Sequence, residues 1–359
     1  MITIIGAGPA GCFCAYKLAK KGFAVQVFEE HPSIGKPVQC TGIVTSSISK
    51  IIGAKDKFMV NKIRRAQINS PGGGSISIKL DDIVLDREKF DLHIEGLAEK
   101  AGAVIYRHHK FIDFKKRLII KDKKEGKIKE LDTDILIGAD GPVSQVAKVC
   151  NLRGKREYYI GIQARVKKDF DPGLFKVTLG SSCPGFFSWT VPESDTIARV
   201  GLAVRRYPYH YFEKLVKGCK PHMIEKQAGL IPIYDPDLQI CKENVFLVGD
   251  AAHQVKASTG GGIIPGLKAA EIAADCIINK KDYAAECKEK LGKDLWLHLK
   301  IRKVLDNFSD KDYSLLIALL KKRGCQDAME RYSRDSPKML LFKILSSEPR
   351  LFYFMKNIF

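Results

Sequence analysis

Three glycines and one carboxylate near the amino terminus have the types and spacing to hold a dinucleotide. Gly6, Gly8 and Gly11 stand in G-x-G-x-x-G register directly behind residues 2–5, which read as a short, fully buried parallel strand. Residues 9–21 are helix-compatible, and residues 24–28 read as a second strand that ends in an acid. Gly6 allows the tight turn, Gly8 lets a pyrophosphate approach the backbone, and Gly11 lets the helix close on the strand. The helix start then offers free N–H groups and a partial positive charge to phosphates. Glu29 lies 23 residues beyond Gly6, at the end of the second strand, where a carboxylate can hold ribose hydroxyls. The glycine motif alone is weak evidence. With both strands and the acid around it, the segment predicts a dinucleotide site.

Two further acidic turns follow buried strands. Residues 131–139 lead into Asp140-Gly141, and residues 245–248 restore a parallel strand before Gly249-Asp250. An acid and a glycine at a strand's carboxyl end are placed to touch a nucleotide. Gly260, Gly261 and Gly262 then open a helix that begins about Ile263, has Pro265 in its first turn and runs to about residue 279. It is apolar nearly all round, so it should be buried. A thiol, Cys40, sits in the segment 30–42, which two prolines and two glycines make an ordered loop. His253 reads as a packing or hydrogen-bonding residue rather than a catalytic one.

The elements that must position these groups alternate between two patterns. Residues 62–70 and 75–80 form a predicted hairpin about Pro71-Gly72-Gly73-Gly74. That glycine run is a turn, not a second nucleotide site, because it lacks a preceding buried parallel strand and a following helix. Arg87 heads a helix over 88–101. Residues 103–107 read as a strand, and 118–129 as an exposed, lysine-rich hairpin. Strands over 158–166, 174–179, 186–191 and 196–204 complete a second, mostly antiparallel sheet, and 209–217 is a helix. From residue 282 the chain is helical and basic. The fold class is therefore α/β: a Rossmann-like nucleotide domain of residues 1–61, 84–150 and 240–282, an inserted mostly antiparallel β-sheet substrate domain of 62–83 and 151–239, and a C-terminal helical region of 283–359.

Composition bounds the rest. The chain has 359 residues, 45% of them hydrophobic and 28% charged, with a formal net charge of +19. No apolar run is long enough to span a membrane, and a glycine motif at residue 6 leaves no room for a signal peptide, so a cytoplasmic protein is expected. The ten cysteines contain no C-x-x-C pair, and no metal site is expected. The positive charge could serve nucleic acid, an anionic membrane or an acidic protein. No nucleic-acid recognition motif accompanies it, which argues against the first. Residues 280–359 carry 18 Lys and Arg against 11 Asp and Glu, and within them 339–345 and 351–359 join bulky apolar groups to lysines. Such a tail suits peripheral contact with the inner membrane face.

Taken in order, Gly6-x-Gly8-x-x-Gly11, Glu29, Asp140-Gly141 and Gly249-Asp250 resemble the FAD-binding proteins of the p-hydroxybenzoate hydroxylase type over the first 280 residues. Three more stretches are similar to the geranylgeranyl reductase family. Pro37-Val-Gln-Cys40-Thr41-Gly42 matches its Pro-x-x-Cys-x-Gly loop, and residues 249–263 match its second flavin motif almost residue for residue. Phe187-Ser-Trp189-Thr-Val191-Pro192 matches its lipid-site motif, with phenylalanine in place of the motif's tyrosine and valine in place of its second aromatic. The resemblance implies flavin contacts at Ala10, Glu29, Cys40, Thr41, Gly42, Arg87, Asp250, Gly262 and Ile263, and a lipid wall at Phe187, Trp189 and Pro192. It also makes Cys287 and Cys325 a candidate disulfide, which a reducing compartment opposes.

The implied activity is that of an FAD-dependent oxidoreductase saturating the geranylgeranyl chains of archaeal-type ether (phospho)lipids. An isolated alkene needs a hydride, which reduced flavin supplies, and a proton; the protein positions the double bond and excludes water. The 260–262 loop and the helix behind it would place N–H groups to stabilise the anionic reduced flavin. Cys40, on the loop that should face the flavin ring, would relay that proton or shape the pocket. Without a second glycine motif, electrons should come from transiently docked NAD(P)H or from a small redox protein such as an acidic ferredoxin. A flavin monooxygenase and a non-redox, FAD-containing isoprenoid cyclase are the alternatives, and a cysteine in a flavin-facing loop argues against the first.

Overall fold

The computed structural model describes residues 1–53 and 55–355. The chain divides into two units: Met1–Val38, Arg87–Glu157 and Pro232–Trp296 form the first, and Gln39–Asp86, Tyr158–Ile231 and Leu297–Phe359 the second.

In the first unit six strands lie side by side in the order Cys241–Lys242, Val245–Leu247, Ile135–Gly138, Ile2–Ile5, Val25–Phe28, Val104–Tyr106. All neighbours are parallel except the first pair. Ile2–Ile5 is buried throughout and sits centrally, with Ile4 level with Val27 on one side and Ile137 on the other. A strand covered on both faces must be continuously apolar, which is why four residues without alternation form it. Helix Pro9–Ala19 packs against both Arg87–Lys100 and Ile263–Asn279. Because Ile2–Ile5 has the next strand on one side and a much later one on the other, its carboxyl end is the topological switch point, where open α/β sheets bind ligands.

A smaller sheet, His109–Phe114, Leu118–Asp122 and Ile128–Leu131, belongs to the same unit. Its first strand is not evident in the sequence, because a bulge between Phe111 and Asp113 breaks the alternation. Phe111, Leu118 and Ile120 are nevertheless core residues, packed with Leu136 and Val146.

The second unit is built on eight strands in the order Met223–Pro232, Tyr158–Lys167, Ile197–Val204, Ser188–Pro192, Leu174–Thr178, Met59–Asn69, Ser75–Leu85, Ile43–Thr45. Gln163, Gly201 and Trp189 share a register row across three strands. On the opposite face Ala164, Val166, Val200, Leu202 and Val204 pack against Phe212 of helix Pro208–Leu215. The strand Met223–Pro232 escapes a pattern reading because Ile224, Glu225 and Lys226 are exposed in succession.

Two boundaries differ from the sequence expectation. Residues 39–61 lie with the antiparallel sheet, because Ile43–Thr45 pairs with Asp82–Val84. The C-terminal helices from Leu297 onward also lie with that sheet rather than forming a separate region: Tyr313 and Ile317 pack on Ile76, Leu179 and Phe187. The cysteines are free thiols, six of them buried. Cys287 is committed to Gln254, and Cys325 to the carbonyl of Ile344, so the pairing that the resemblance suggested is not formed.

The tightest backbone packing yields a stability test. A Cβ on Gly11 would lie 2.0 Å from the Gly6 carbonyl oxygen, whereas one on Gly96, within helix Arg87–Lys100, meets nothing within 4 Å. In urea unfolding of FAD-free protein, Gly11→Ala should lose about 3 kcal/mol or more, while Gly96→Ala should gain roughly 0.5–1 kcal/mol. Equal stability of Gly11→Ala and the parent would contradict this packing.

Candidate functional site

The nucleotide half of the site is assembled at the carboxyl ends of the first unit's strands. Gly6 turns the chain with φ +99°, and a Cβ there would stand 2.4 Å from the Ala139 carbonyl oxygen. Only glycine permits that approach of the two strand ends. At Gly8, the residue before helix Pro9–Ala19, a Cβ would meet no protein atom within 4 Å. The helix start therefore opens onto free space, as a pyrophosphate requires. Glu29 lies close by in the chain's path: its Oε2 accepts from the Ala7 N–H at 2.9 Å and its Oε1 from the His31 N–H at 2.9 Å. With His31 Nδ1 also 2.6 Å from Oε1, those contacts orient the carboxylate and leave Oε2 one acceptor position for a ribose hydroxyl.

The second flavin-type motif closes on the same helix. Gly249 has φ +65°, and its missing Cβ makes room for the Ala10 methyl, 3.0 Å from where it would stand. Gly266 continues this packing, its own missing Cβ 3.4 Å from the Gly249 Cα. The Gly249–Ala252 turn is held from behind. Gln254 Oε1 accepts from the Gly249 N–H at 2.7 Å, and Arg156 donates to the Ala251 carbonyl at 2.7 Å. Asp250 is directed at the start of helix Ile263–Asn279, since its Oδ1 is 3.0 Å from where a Gly262 Cβ would be. Burial pushes its carboxyl up to about 6, and the Arg87 charge acts in the opposite sense. Arg87 itself is forked onto Asp91 at 3.0 and 2.9 Å.

Two expectations are refined by the geometry. Asp140 turns onto its own helix: Ser144 Oγ donates to it at 2.6 Å and the Val146 N–H at 3.0 Å, so its carboxyl caps Gln145–Val149 and burial raises its pKa. Gly141, with φ +80° and open space beside it, is the member of that pair that backbone can present to a ligand. In the 260–262 loop, the Gly260 N–H already donates to the Lys256 carbonyl at 2.8 Å. The N–H groups that a helix leaves unpaired belong instead to the first turn, from Gly262 and Ile263 on. Gly261 is small because the buried Lys256 side chain passes it, Cε 2.8 Å from a would-be Cβ. His253 is fully buried, its Nδ1 2.9 Å from the Ile233 carbonyl, and burial lowers its pKa, consistent with a packing role.

The second unit holds the remaining candidates: Cys40, Thr41, Gly42, Phe187, Trp189 and Pro192. Cys40 is half-buried, and the Gly42 N–H points at its sulfur at 3.3 Å. Phe187 and Trp189 share a sheet face and meet edge to face, ring centres 6.1 Å apart. The Trp189 indole N–H donates to Gln163 at 3.1 Å. Pro192, one residue out of that alternation, lies on the opposite face and cannot form the same wall. The sequence reading missed Arg156, Gln163 and Lys256, together with a buried Glu193–Arg199 pair at 2.6 Å. A signal existed for the last: Arg199 is the lone charge inside the apolar strand Ile197–Val204.

The free space at Gly8, the oriented Glu29 and Asp250 set against the start of helix Ile263–Asn279 suit an extended dinucleotide. Residues 4–40 match the family of NAD(P)-binding Rossmann-like domains. The fold extends over the whole chain in solved structures: the flavin-dependent halogenase CmlS superposes with a TM-score of 0.67 at 18% identity, covering 98% of this chain and 78% of that one. A geranylgeranyl bacteriochlorophyll reductase-like protein from Thermoplasma acidophilum superposes with a TM-score of 0.87 at 22% identity, covering 100% of this chain and 98% of that one. In sequence the chain is similar to digeranylgeranylglycerophospholipid reductase 2 of Methanothermobacter thermautotrophicus, 29% identical over 94% of this chain and 97% of that protein. It is likewise 28% identical to digeranylgeranylglycerophospholipid reductase of Methanocaldococcus jannaschii, over 99% and 97%.

Asp250 links the site to pH. An acid with a raised folded-state pKa favours folding most when protonated, so its contribution is lost as pH rises from about 3.8 through about 6. FAD-free Asp250→Asn should therefore be more stable than the parent at pH 7.5, by up to about 3 kcal/mol, with the gain vanishing below pH ~4. The same variant should retain FAD less well. A variant that is less stable at pH 7.5 and holds FAD normally would contradict the assignment.

Proposed function

We propose that this chain is an FAD-dependent reductase that saturates double bonds in the geranylgeranyl chains of ether phospholipids. The observation that carries the reading is near full-length similarity to reductases of that name, on a fold whose first helix start opens onto free space at Gly8. Gly8 and the helix behind it would hold the pyrophosphate, Glu29 a ribose, and Asp250 with Gly262 and Ile263 the far end of the cofactor. Reduced FAD, when bound, supplies the hydride. The protein's own part is to hold the alkene, keep water out and deliver one proton. Phe187 and Trp189 form an aromatic face suited to an isoprenoid chain. Cys40 is the thiol we assign to the proton, which it regains from solvent. Electrons come from NAD(P)H or from an acidic redox protein such as ferredoxin, and the charge of +19 favours the latter.

The lipid itself supplies the direct test. In a host co-expressing a geranylgeranylated ether lipid, the chain should yield products heavier by two hydrogens per double bond. Cys40→Ala should keep FAD but cut the rate by about tenfold or more. Unchanged turnover in Cys40→Ala would remove the thiol from the mechanism, and unaltered lipid masses with the parent would remove the reading.

The same reading includes contact with a bilayer, since such a substrate is insoluble in water. Among the described residues no helix is long and apolar enough to cross a membrane. Helix Pro337–Ser347 divides its apolar residues: Ile344 and Leu345 pack with Leu319 and Leu351, while Met339 and Phe342 are 47% and 59% exposed. Phe352 and Tyr353 are also exposed; residues 356–359 lie outside the described part. The protein should sediment with anionic vesicles at low salt, and Phe342→Ser with Met339→Ser should weaken this. Full recovery of the parent in the supernatant would exclude the contact.

A further inference from the structure

A buried charge is expensive unless it is paired and its hydrogen bonds are satisfied. Arg199 is 6% exposed, inside an otherwise apolar strand of the second unit. Glu193, 7% exposed, supplies the countercharge: Arg199 Nε donates to its Oε1 at 2.6 Å. Glu193 is also forked by Arg165, through Nε at 3.1 and 3.2 Å and Nη2 at 2.8 Å. The two guanidinium groups hold the Glu193 carboxyl below its ordinary range despite its burial.

With its Nε satisfied, Arg199 directs the remaining donors at main chain. Its Nη1 donates to the Thr41 carbonyl at 2.7 Å and to the Cys40 carbonyl at 3.3 Å. The turn is closed on its other side by the sheet, where the Leu85 N–H donates to the Gly42 carbonyl at 2.9 Å. Gly42 has φ +68°, and a Cβ on it would lie 2.9 Å from Arg199 Nη1 and 2.7 Å from the Leu85 carbonyl oxygen. The guanidinium thus occupies the space that glycine leaves. Inside this clamped turn the Gly42 N–H meets the Cys40 sulfur.

We propose that Arg199, fixed by Glu193, is a positioning residue for Cys40: it locks the Cys40–Thr41–Gly42 turn and so sets the orientation of the thiol. The proposal deepens the reductase reading and rests on it for its consequence in turnover. Its geometry concerns Cys40 alone. A guanidinium presents donors in a planar fork, so lysine can replace the charge but cannot bond Glu193 and the loop carbonyls through separate nitrogens.

The test uses FAD-loaded, full-length protein. Cys40 alkylation by iodoacetamide is followed against pH by peptide mass, with Cys40→Ala to identify the signal. Arg199→Gln should change the alkylation rate by about fivefold or more, and Arg199→Lys should restore part of it. Lipid reduction by Arg199→Gln should fall about tenfold or more in kcat with KM little changed, since misplacement rather than binding is affected. FAD content should match the parent. If Arg199→Gln does not fold, Glu193→Gln, which keeps an acceptor for Arg199 but removes its countercharge, is read in the same way with a smaller effect. An unaltered alkylation rate in a folded variant would overturn the proposal. If Cys40→Ala keeps full turnover while Arg199→Gln alters the thiol, the clamp stands and the role of Cys40 in reduction falls.

Discussion

The structure depends on backbone segments approaching more closely than any side chain would allow. The Gly6 turn lies against the Ala139 carbonyl, Gly11 lies against Gly6, and Gly249 makes way for Ala10. Each contact is made by a glycine at the end of a parallel strand or the start of a helix. Together they bring the carboxyl ends of Ile2–Ile5 and Ile135–Gly138 to one place and aim two helix starts there. Without that packing, Glu29 and Asp250 would be surface carboxylates on unrelated loops. With it Glu29 is bonded beside the start of helix Pro9–Ala19 and Asp250 is set against the start of helix Ile263–Asn279. The cost appears as a strained ionisation: Asp250 is held where water solvates it poorly, and its carboxyl rises to about 6. A site that is unfavourable when empty is stabilised by the ligand that occupies it.

Buried charge follows a different logic in the second unit. There the Glu193–Arg199 pair is satisfied internally and uses its surplus donors on loop backbone. Trp189 is fixed in a related manner, through Gln163, which in turn donates to Gln227 at 2.7 Å. These groups do not add stability over an apolar core of the same shape; their contribution is to allow one arrangement of the turn and the indole.

Much of this was legible in the chain. The glycine spacing, the strand runs on either side and Glu29 define the nucleotide half, because each of those residue types has a local steric or electrostatic reason to be there. The eight-stranded sheet was visible as alternating strands apart from Met223–Pro232, where exposed charge erases the period, and the three-residue Ile43–Thr45; in the small sheet of the first unit a bulge hid His109–Phe114. What local pattern could not supply was allegiance. Residues 39–61 and the C-terminal helices join the sheet through pairings and packing distant in sequence, such as Ile43 with Val84 and Ile317 with Ile76. Side-chain direction was also hidden. Asp140 looked like a ligand group and proves to cap its own helix, and Pro192 falls on the face opposite Trp189 by one step of the pleat.

The central claim is that the bound flavin gives its electrons to a carbon–carbon double bond. The most direct measurement is an anaerobic half-reaction: FAD-loaded protein is reduced chemically, freed of reductant and mixed with an ether lipid carrying geranylgeranyl chains, while flavin absorbance is followed. The account predicts that the lipid alone reoxidises the flavin, with one double bond saturated for each flavin oxidised and the product heavier by two hydrogens. Flavin that stays reduced beside the lipid and is reoxidised only by oxygen, or lipid that is cyclised with no change in flavin oxidation state, would contradict it.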